Sequence, residues 1–403
     1  VHINDVAAPA PTRVASVDFL RGVAIVGVAL VHSILYLTPV ESDVDPIYVV
    51  FEYVLGNVGA ALFVTLVGVS FVLSMRSRSG MANRTIVIGA TIRGLFLVVV
   101  GILVSLVTTG PATVMEWDVL ALIGISSIVL ALVRNAPTWL LILLAGALWL
   151  AAPVVRATVG YLEWWGKSMK PVAGFLVDGT LMVPAADYHP GIGVLTGLSG
   201  LLTSGWFPIL PWLAFPVLGI VLGRQITGDR RVGMWWLGVG GVLFAGSLAV
   251  ALASASLGPS DPVAGYFTVL AFTPNSTSML TLQLGLVLIV MGATHLTLDG
   301  PRMIGRWMDP IRLFSRYALT VYVASYVVLY LPIHLADVFD RSRAHVYALT
   351  TTGWALLFGV AFTFVTYAIL RVWDRNGGVG SIEWLLNHLR IRAGVKHRAA
   401  PTG

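Results

Sequence analysis

The chain has 403 residues, of which 57% are hydrophobic and 11% charged. That balance belongs to a polytopic membrane protein and excludes an ordinary soluble enzyme. The absence of cysteine excludes disulfides, thiolate nucleophiles and Cys-ligated metals. The formal charge of +6 reads as Lys and Arg gathered in cytoplasmic loops rather than as a nucleic-acid surface.

Taken in chain order, residues 1–12 form a Pro/Ala-rich cytoplasmic tail. Apolar stretches at 14–37, 54–74, 85–107, 118–133, 137–157, 206–224, 232–257, 276–298, 312–333 and 346–372 then predict an all-α helical bundle. It has about 10 transmembrane helices, or 11 if the long stretch 158–205 hides another. The membrane domain is 13–373, and 158–205 is a long extracytoplasmic loop with room for re-entrant or interfacial helices. Residues 374–403 form a basic cytoplasmic tail, whose amphipathic patch Ile382–Leu389 is expected on the inner membrane surface. The first apolar segment is too long for a signal-peptide core and has no small-residue site after it, so no cleavable leader is expected. Arg76, Arg78, Arg84, Arg134, Arg224, Arg230, Arg231, Arg302, Arg306 and Arg312 alternate from loop to loop with Glu41, Asp43, Asp45, Glu116 and Asp261. This alternation predicts cytoplasmic termini.

The most informative pair sits in the first span. Arg21 and His32 are eleven residues apart with only apolar residues between them. Eleven steps of about 100° bring them onto one helix face, about 16 Å apart along the axis. Asp18, one turn earlier, shares that face. Ionisable residues are costly inside a bilayer, which marks them as functional candidates. Toward the inner side lie Arg21, Arg93, Arg316 and the loop residue Arg84, a set suited to an anionic, phosphate-bearing ligand. Toward the outer side lie His32, Asn57, Asp118, the segment TPNSTS at 273–278, and His189 with Asp187. A histidine there suits a general base. Plainer roles are also open. Arg21 can pair with Asp18, Arg316 can snorkel, and Asp118 can cap a helix. His295 reads as interfacial, and the Tyr322, Tyr326, Tyr330 stripe as bundle packing. Trp164, Trp165 and Trp206 read chiefly as an interfacial belt.

The Arg-x10-His spacing, introduced by SVDFLRG, resembles the transmembrane acyltransferase superfamily. That group includes acyltransferase family 3 and the heparan-alpha-glucosaminide N-acetyltransferase-like bacterial membrane proteins. FVTLVGVSFVLS at 63–74, WDVLALIGIS at 117–126, FPILPWLAFPVLGIVLG at 207–223, TPNSTSMLTLQLG at 273–285, RLFSRYALTVYVASYVV at 312–328 and WDRNGGVGSIEWLL at 373–386 are similar to the second branch. Members of that branch often carry Asn where His32 stands, and His32 follows the family 3 pattern.

The resemblance implies acyl transfer, acetyl foremost, from cytoplasmic acyl-CoA to a sugar hydroxyl or amine on the far side. Arg21 and His32 are the residues that the resemblance carries over. On the mechanism expected from the polar residues themselves, Arg21, Arg93 and Arg84 would hold the donor, and His32 would be the base with Asn57 beside it. Asp118, His189 and Trp212 would meet the acceptor, and Asp18 would be structural. No metal is implied. Expected partners are membrane lipids, acyl-CoA and a glycan or glycolipid acceptor, without nucleic acid and with a homo-oligomer allowed. The expected location is a plasma membrane, that of a bacterium. A transporter or exporter of a cell-envelope precursor, and a non-catalytic envelope-assembly protein, are the rival readings. Few acids lie in the spans to couple protons, which argues against transport.

Overall fold

The computed structural model describes residues 14–38, 45–76, 80–108, 113–172, 176–184, 194–226, 229–257, 262–271, 275–299, 305–331 and 350–395. The chain is an all-α, polytopic membrane helical bundle. In order its main helices are α1 (Ala15–Leu37), α2 (Pro46–Arg76), α3 (Asn83–Thr108), α4 (Val119–Val133), α5 (Thr138–Thr158), α6 (Gly197–Gln225), α7 (Arg230–Leu257) and α8 (Thr277–Leu298). There follow α9 (Arg306–Arg316), α10 (Ala318–Tyr330), α11 (Thr352–Arg375) and α12 (Ile382–Arg392). Among the described residues eight of these helices are long and apolar enough to cross a membrane. The short α4 and the bent pair α9–α10 occupy the other two predicted stretches.

α1 packs against α2, α8, α9, α10 and α11, which places it at the centre. Its buried side chains Val17, Leu20, Ala24 and Ile25 join Leu62 and Leu66 of α2 and Leu122 of α4 in one core. The outward faces of peripheral helices are apolar, as with exposed Leu95, Val99, Leu103 and Leu106 of α3. In lipid such a face is solvated and the backbone is satisfied within the helix. Helix pairing then relies on close packing of small residues. A Cβ on Gly94 of α3 would stand 2.6 Å from the Gly124 carbonyl oxygen of α4, and one on Gly240 of α7 the same distance from that of Gly285 of α8.

Arginines counted as topology signals also close helix ends. Arg76 donates to the carbonyls of Gly223 and Ile226 at 3.0 Å, and Arg224 to that of Arg134 at 2.7 Å. These carbonyls at helix C-termini would otherwise lack partners. His295, expected at the interface, is instead buried. Its Nδ1 lies 2.8 Å from Asp299, which also accepts from the Ser16 amide at 2.9 Å and the Ser16 hydroxyl at 2.5 Å. This network ties the start of α1 to the end of α8. Burial works against the Asp299 carboxylate, but the hydrogen bonds from His295 and Ser16 outweigh it and hold its pKa low.

Three stretches depart from expectation or add to it. The predicted span 312–333 is broken by 68° between α9 and α10, at Tyr317, whose backbone (φ −106°, ψ 30°) leaves the helix. The amides of Leu319 and Thr320 beyond the break donate to Glu383 Oε1 at 2.7 and 3.2 Å. That contact adds to a second expectation, the patch Ile382–Leu389 on the membrane surface. Its helix, α12, docks on the bundle through Glu383 and buried Leu386, because the broken span leaves backbone donors that need an acceptor. The stretch 158–205, third, holds a short helix (Tyr161–Ser168) and strands Met169–Pro171 and Leu181–Pro184, antiparallel to each other. The second strand runs parallel to Leu270–Ala271. Trp165 is buried beneath this small sheet against Tyr266, with ring centroids 5.6 Å apart, not in an interfacial belt.

Candidate active site: two cavities along the first helix

Each residue of the Arg21–His32 pair lines its own cavity. The one at the Arg21 end, inner on the orientation expected from the loop charges, has ≈ 340 Å³ and is bounded by Arg21 of α1, Ser70 of α2, Arg93 of α3, Arg316 of α9, and Glu383 and Arg390 of α12. The outer one, of ≈ 300 Å³, is bounded by His32 and Tyr36 of α1, Glu52 of α2, Trp212 of α6, and Tyr322 and Tyr326 of α10. Phe63 of α2 lines both.

In the inner cavity the Arg21 guanidinium donates to the Ser70 hydroxyl. Asp18 and Arg21 share the wall of a further recess, of ≈ 500 Å³, with Asp309, Arg312, Arg316 and Asp374. Arg316 pairs with Asp374 at 2.5 Å, so it is held at the bundle end rather than simply snorkelling. Arg93 joins Arg21 in the cavity wall, whereas Arg84 is exposed on the first turn of α3 and is not among the lining residues. Glu383 is the one carboxylate among the lining residues, and both its oxygens are taken. Oε1 accepts from the two amides of α10, and Oε2 from the Thr320 hydroxyl at 2.5 Å. Burial nevertheless pushes its pKa up.

The outer cavity is organised around His32, which is buried. Its Nδ1 lies 2.8 Å from Ser325 Oγ. That hydroxyl donates its single proton to the Tyr322 carbonyl at 2.7 Å, so toward His32 it accepts. In that arrangement Nδ1 is the donor and Nε2 keeps its lone pair. The ring is wedged edge-on against Tyr322 and Tyr326, at 5.6 and 4.7 Å between centroids. Behind them, Asp118 accepts from the Tyr322 hydroxyl at 2.7 Å. It also caps α4 by accepting from the Leu120 amide at 3.5 Å. Asp118 thus steadies the tyrosines that hold His32 and does not itself line the cavity.

Trp212 is buried and lines the outer cavity beside Phe207. Trp206 also lines it, with its indole donating to Glu116 at 2.6 Å. Asn57 opens the α-helical part of α2, but its side chain lies outside the described residues, as does the whole of His189. The wall near Asn275 is fixed by Arg156, a fully buried guanidinium. It donates to the Thr203 carbonyl at 2.9 Å, the Asn275 carbonyl at 3.2 Å and the Tyr266 hydroxyl. The Tyr161 ring lies 5.0 Å away, within cation–π range.

Sequence reasoning did not reach Ser325, Glu52 or Arg390, and it read Tyr322 and Tyr326 as packing. Glu52 is buried in a π-helical turn (Val49–Gly56), with Oε2 lacking a hydrogen-bond partner among the described residues. An acid amid VVFEYVLG was the available signal, but the predicted span began after it. Among the described residues no group of three or more His, Asp and Glu could hold a metal.

No curated protein matches the chain. The family described as heparan-alpha-glucosaminide N-acetyltransferase, catalytic, matches residues 13–257, from the start of α1 to the end of α7. That range carries Arg21, His32, Phe63 and Arg93. The chain belongs to this family of membrane acetyltransferases that act on sugars.

Proposed function

We propose that the chain transfers an acyl group, acetyl foremost, from cytoplasmic acyl-CoA in the inner cavity to a sugar hydroxyl or amine in the outer, extracytoplasmic cavity. The observation that carries this reading is the pairing of two chemically opposite cavities along α1, with Phe63 a wall of both. The inner one presents four arginines and a carboxylate already engaged, which fits the phosphates of a nucleotide thioester. The outer one presents a histidine whose Nδ1 meets Ser325, leaving Nε2 to act as the base, and aromatic side chains that suit a sugar ring. The positive-inside loops support the sidedness. In this reading the protein sits in the plasma membrane of a bacterial cell.

The chemistry follows from the proton arrangement. The acceptor's O–H or N–H gives its proton to His32 Nε2 as the heteroatom attacks the thioester carbonyl carbon. The new C–O or C–N bond forms, the C–S bond breaks, and the proton passes from Nε2 to the departing sulfur. Ser325 keeps Nδ1 protonated throughout. Asn57 is assigned to orient the imidazole or the developing oxyanion.

Acyl-CoA-dependent transfer in isolated membranes tests the reading. His32→Ala is expected to lower the rate by roughly 10²–10⁴-fold, the usual worth of a positioned base. Full activity of that variant overturns the role of His32.

A further inference from the structure

We infer that Arg390, on the helix that follows the last span, binds the phosphate groups of the donor, making α12 a wall of the donor site. This rests on the reading above that the inner cavity takes acyl-CoA.

Ser381 caps α12 by accepting from the Trp384 amide at 3.1 Å. Glu383, Leu386 and Arg390 follow at i, i+3 and i+7, which puts them on one face. Glu383 fastens that face to the broken end of α10, and Leu386 is buried behind it. Arg390 is thereby aimed into the inner cavity. Its guanidinium crosses α3 at Gly89, where a Cβ would stand only 3.5 Å from Nη2. One turn further along α3 is Arg93, which lines the same cavity.

The Arg390 Nε–H is buried without a hydrogen-bond partner among the described residues. A buried donor left unmade costs about 1–3 kcal/mol. Among the described residues no carboxylate of the cavity wall is left to supply the missing acceptor. Glu383 is committed to the backbone of α10, and Asp374, on the neighbouring recess, is paired with Arg316. Burial also depresses the Arg390 pKa, which an adjacent anion would reverse. Guanidinium groups arriving from α1, α3 and α12 around one cavity match a ligand with several charged oxygens, such as a pyrophosphate or phosphate ester, better than a single carboxylate. Arg390 lies beyond the residues that the family matches, 13–257, and beyond the family-like segment 373–386.

The test is a calorimetric titration of the full-length protein in lipid nanodiscs with coenzyme A, inorganic pyrophosphate and pantetheine, which lacks phosphates. Arg390→Gln is expected to weaken coenzyme A binding by roughly 10-fold or more, the worth of a charge-assisted hydrogen bond. Arg390→Lys should fall between the two, since it keeps the charge and loses the planar fork. It also keeps the test decisive should the Gln variant fold poorly. Pantetheine binding should be the same in all three proteins. Wild-type affinity for coenzyme A in both variants overturns the assignment of Arg390 and leaves the donor reading standing. A wild-type protein that binds neither coenzyme A nor pyrophosphate overturns both.

Discussion

Ser325→Ala probes the step on which the proposed chemistry depends, the choice of proton-bearing nitrogen on His32. Ser325 Oγ lies 2.7 Å from the Tyr322 carbonyl and 2.8 Å from His32 Nδ1, in a buried setting, and in the proposed chemistry it donates to the first and accepts from the second. Deleting the hydroxyl leaves Nδ1–H without an acceptor. A buried donor in that state costs about 1–3 kcal/mol. The ring can escape the cost by moving its proton to Nε2, which then has no lone pair for the acceptor's proton. At about 1.4 kcal/mol per factor of ten, the fraction of competent enzyme falls by roughly 5- to 150-fold. The assay is transfer of radiolabelled acetyl from acetyl-CoA in washed membranes, normalised to folded protein by size-exclusion chromatography. The kcat should drop at an unchanged KM for acetyl-CoA, because Ser325 does not line the inner cavity. Ser325→Thr, which keeps an acceptor oxygen, should retain most activity. Wild-type kcat in Ser325→Ala would refute the proton assignment.

Two further predictions concern the scaffold. A Cβ at Gly124 would stand 2.9 Å from Val98 Cγ2 and 3.2 Å from the Val98 amide nitrogen of α3, so Gly124→Leu should cost about 1–3 kcal/mol through overpacking. It should lower the melting temperature in detergent, whereas Gly146→Ala, with nothing within 4 Å, should not. Glu383 gives a pH signature. Its raised folded-state pKa means that its contribution is fully present below the ordinary glutamate value of about 4.3. That contribution is lost as pH rises through the folded value. Melting temperatures measured upward from pH 5 should therefore fall more steeply in the wild type than in Glu383→Gln. Equal slopes would contradict the burial of that carboxylate. Asp299, held low, works oppositely and loses its contribution only as the medium becomes acidic.

The bundle was legible because membrane spans announce themselves by length and hydropathy, and the order of apolar stretches survives intact in the structure. The Arg21–His32 register was equally legible, since both residues sit on one helix and periodicity alone fixes their common face. What could not be read were contacts made across the chain. Ser325 lies 293 positions from His32 and Asp118 204 from Tyr322, and no local pattern encodes such distances. The tyrosine stripe did pack in the bundle, as its spacing suggested, but its partners turned packing into support for a histidine. Glu52 was missed because a π-helical turn carries α2 beyond the predicted start of the span. The break at Tyr317 has no Pro or Gly to announce it, and its counterpart was a carboxylate in what composition marked as a basic tail. The small sheet near Leu270 was missed for a similar reason, as strands of two to four residues leave no periodic trace.

Phe63 carries an electrical consequence. A bilayer insulates because about 30 Å of hydrocarbon separates two aqueous phases, yet here a recess approaches this ring from each side. Hydrated recesses would concentrate the transmembrane voltage across the short stretch around the ring. An ion hopping past Phe63 would then traverse most of the field, at about 2.3 kcal/mol per elementary charge for each 100 mV. A neutral acyl group making the same passage would do no electrical work. Such a septum suits a transmembrane exchange whose cargo is uncharged, and turnover in energised vesicles should depend little on the voltage applied to them.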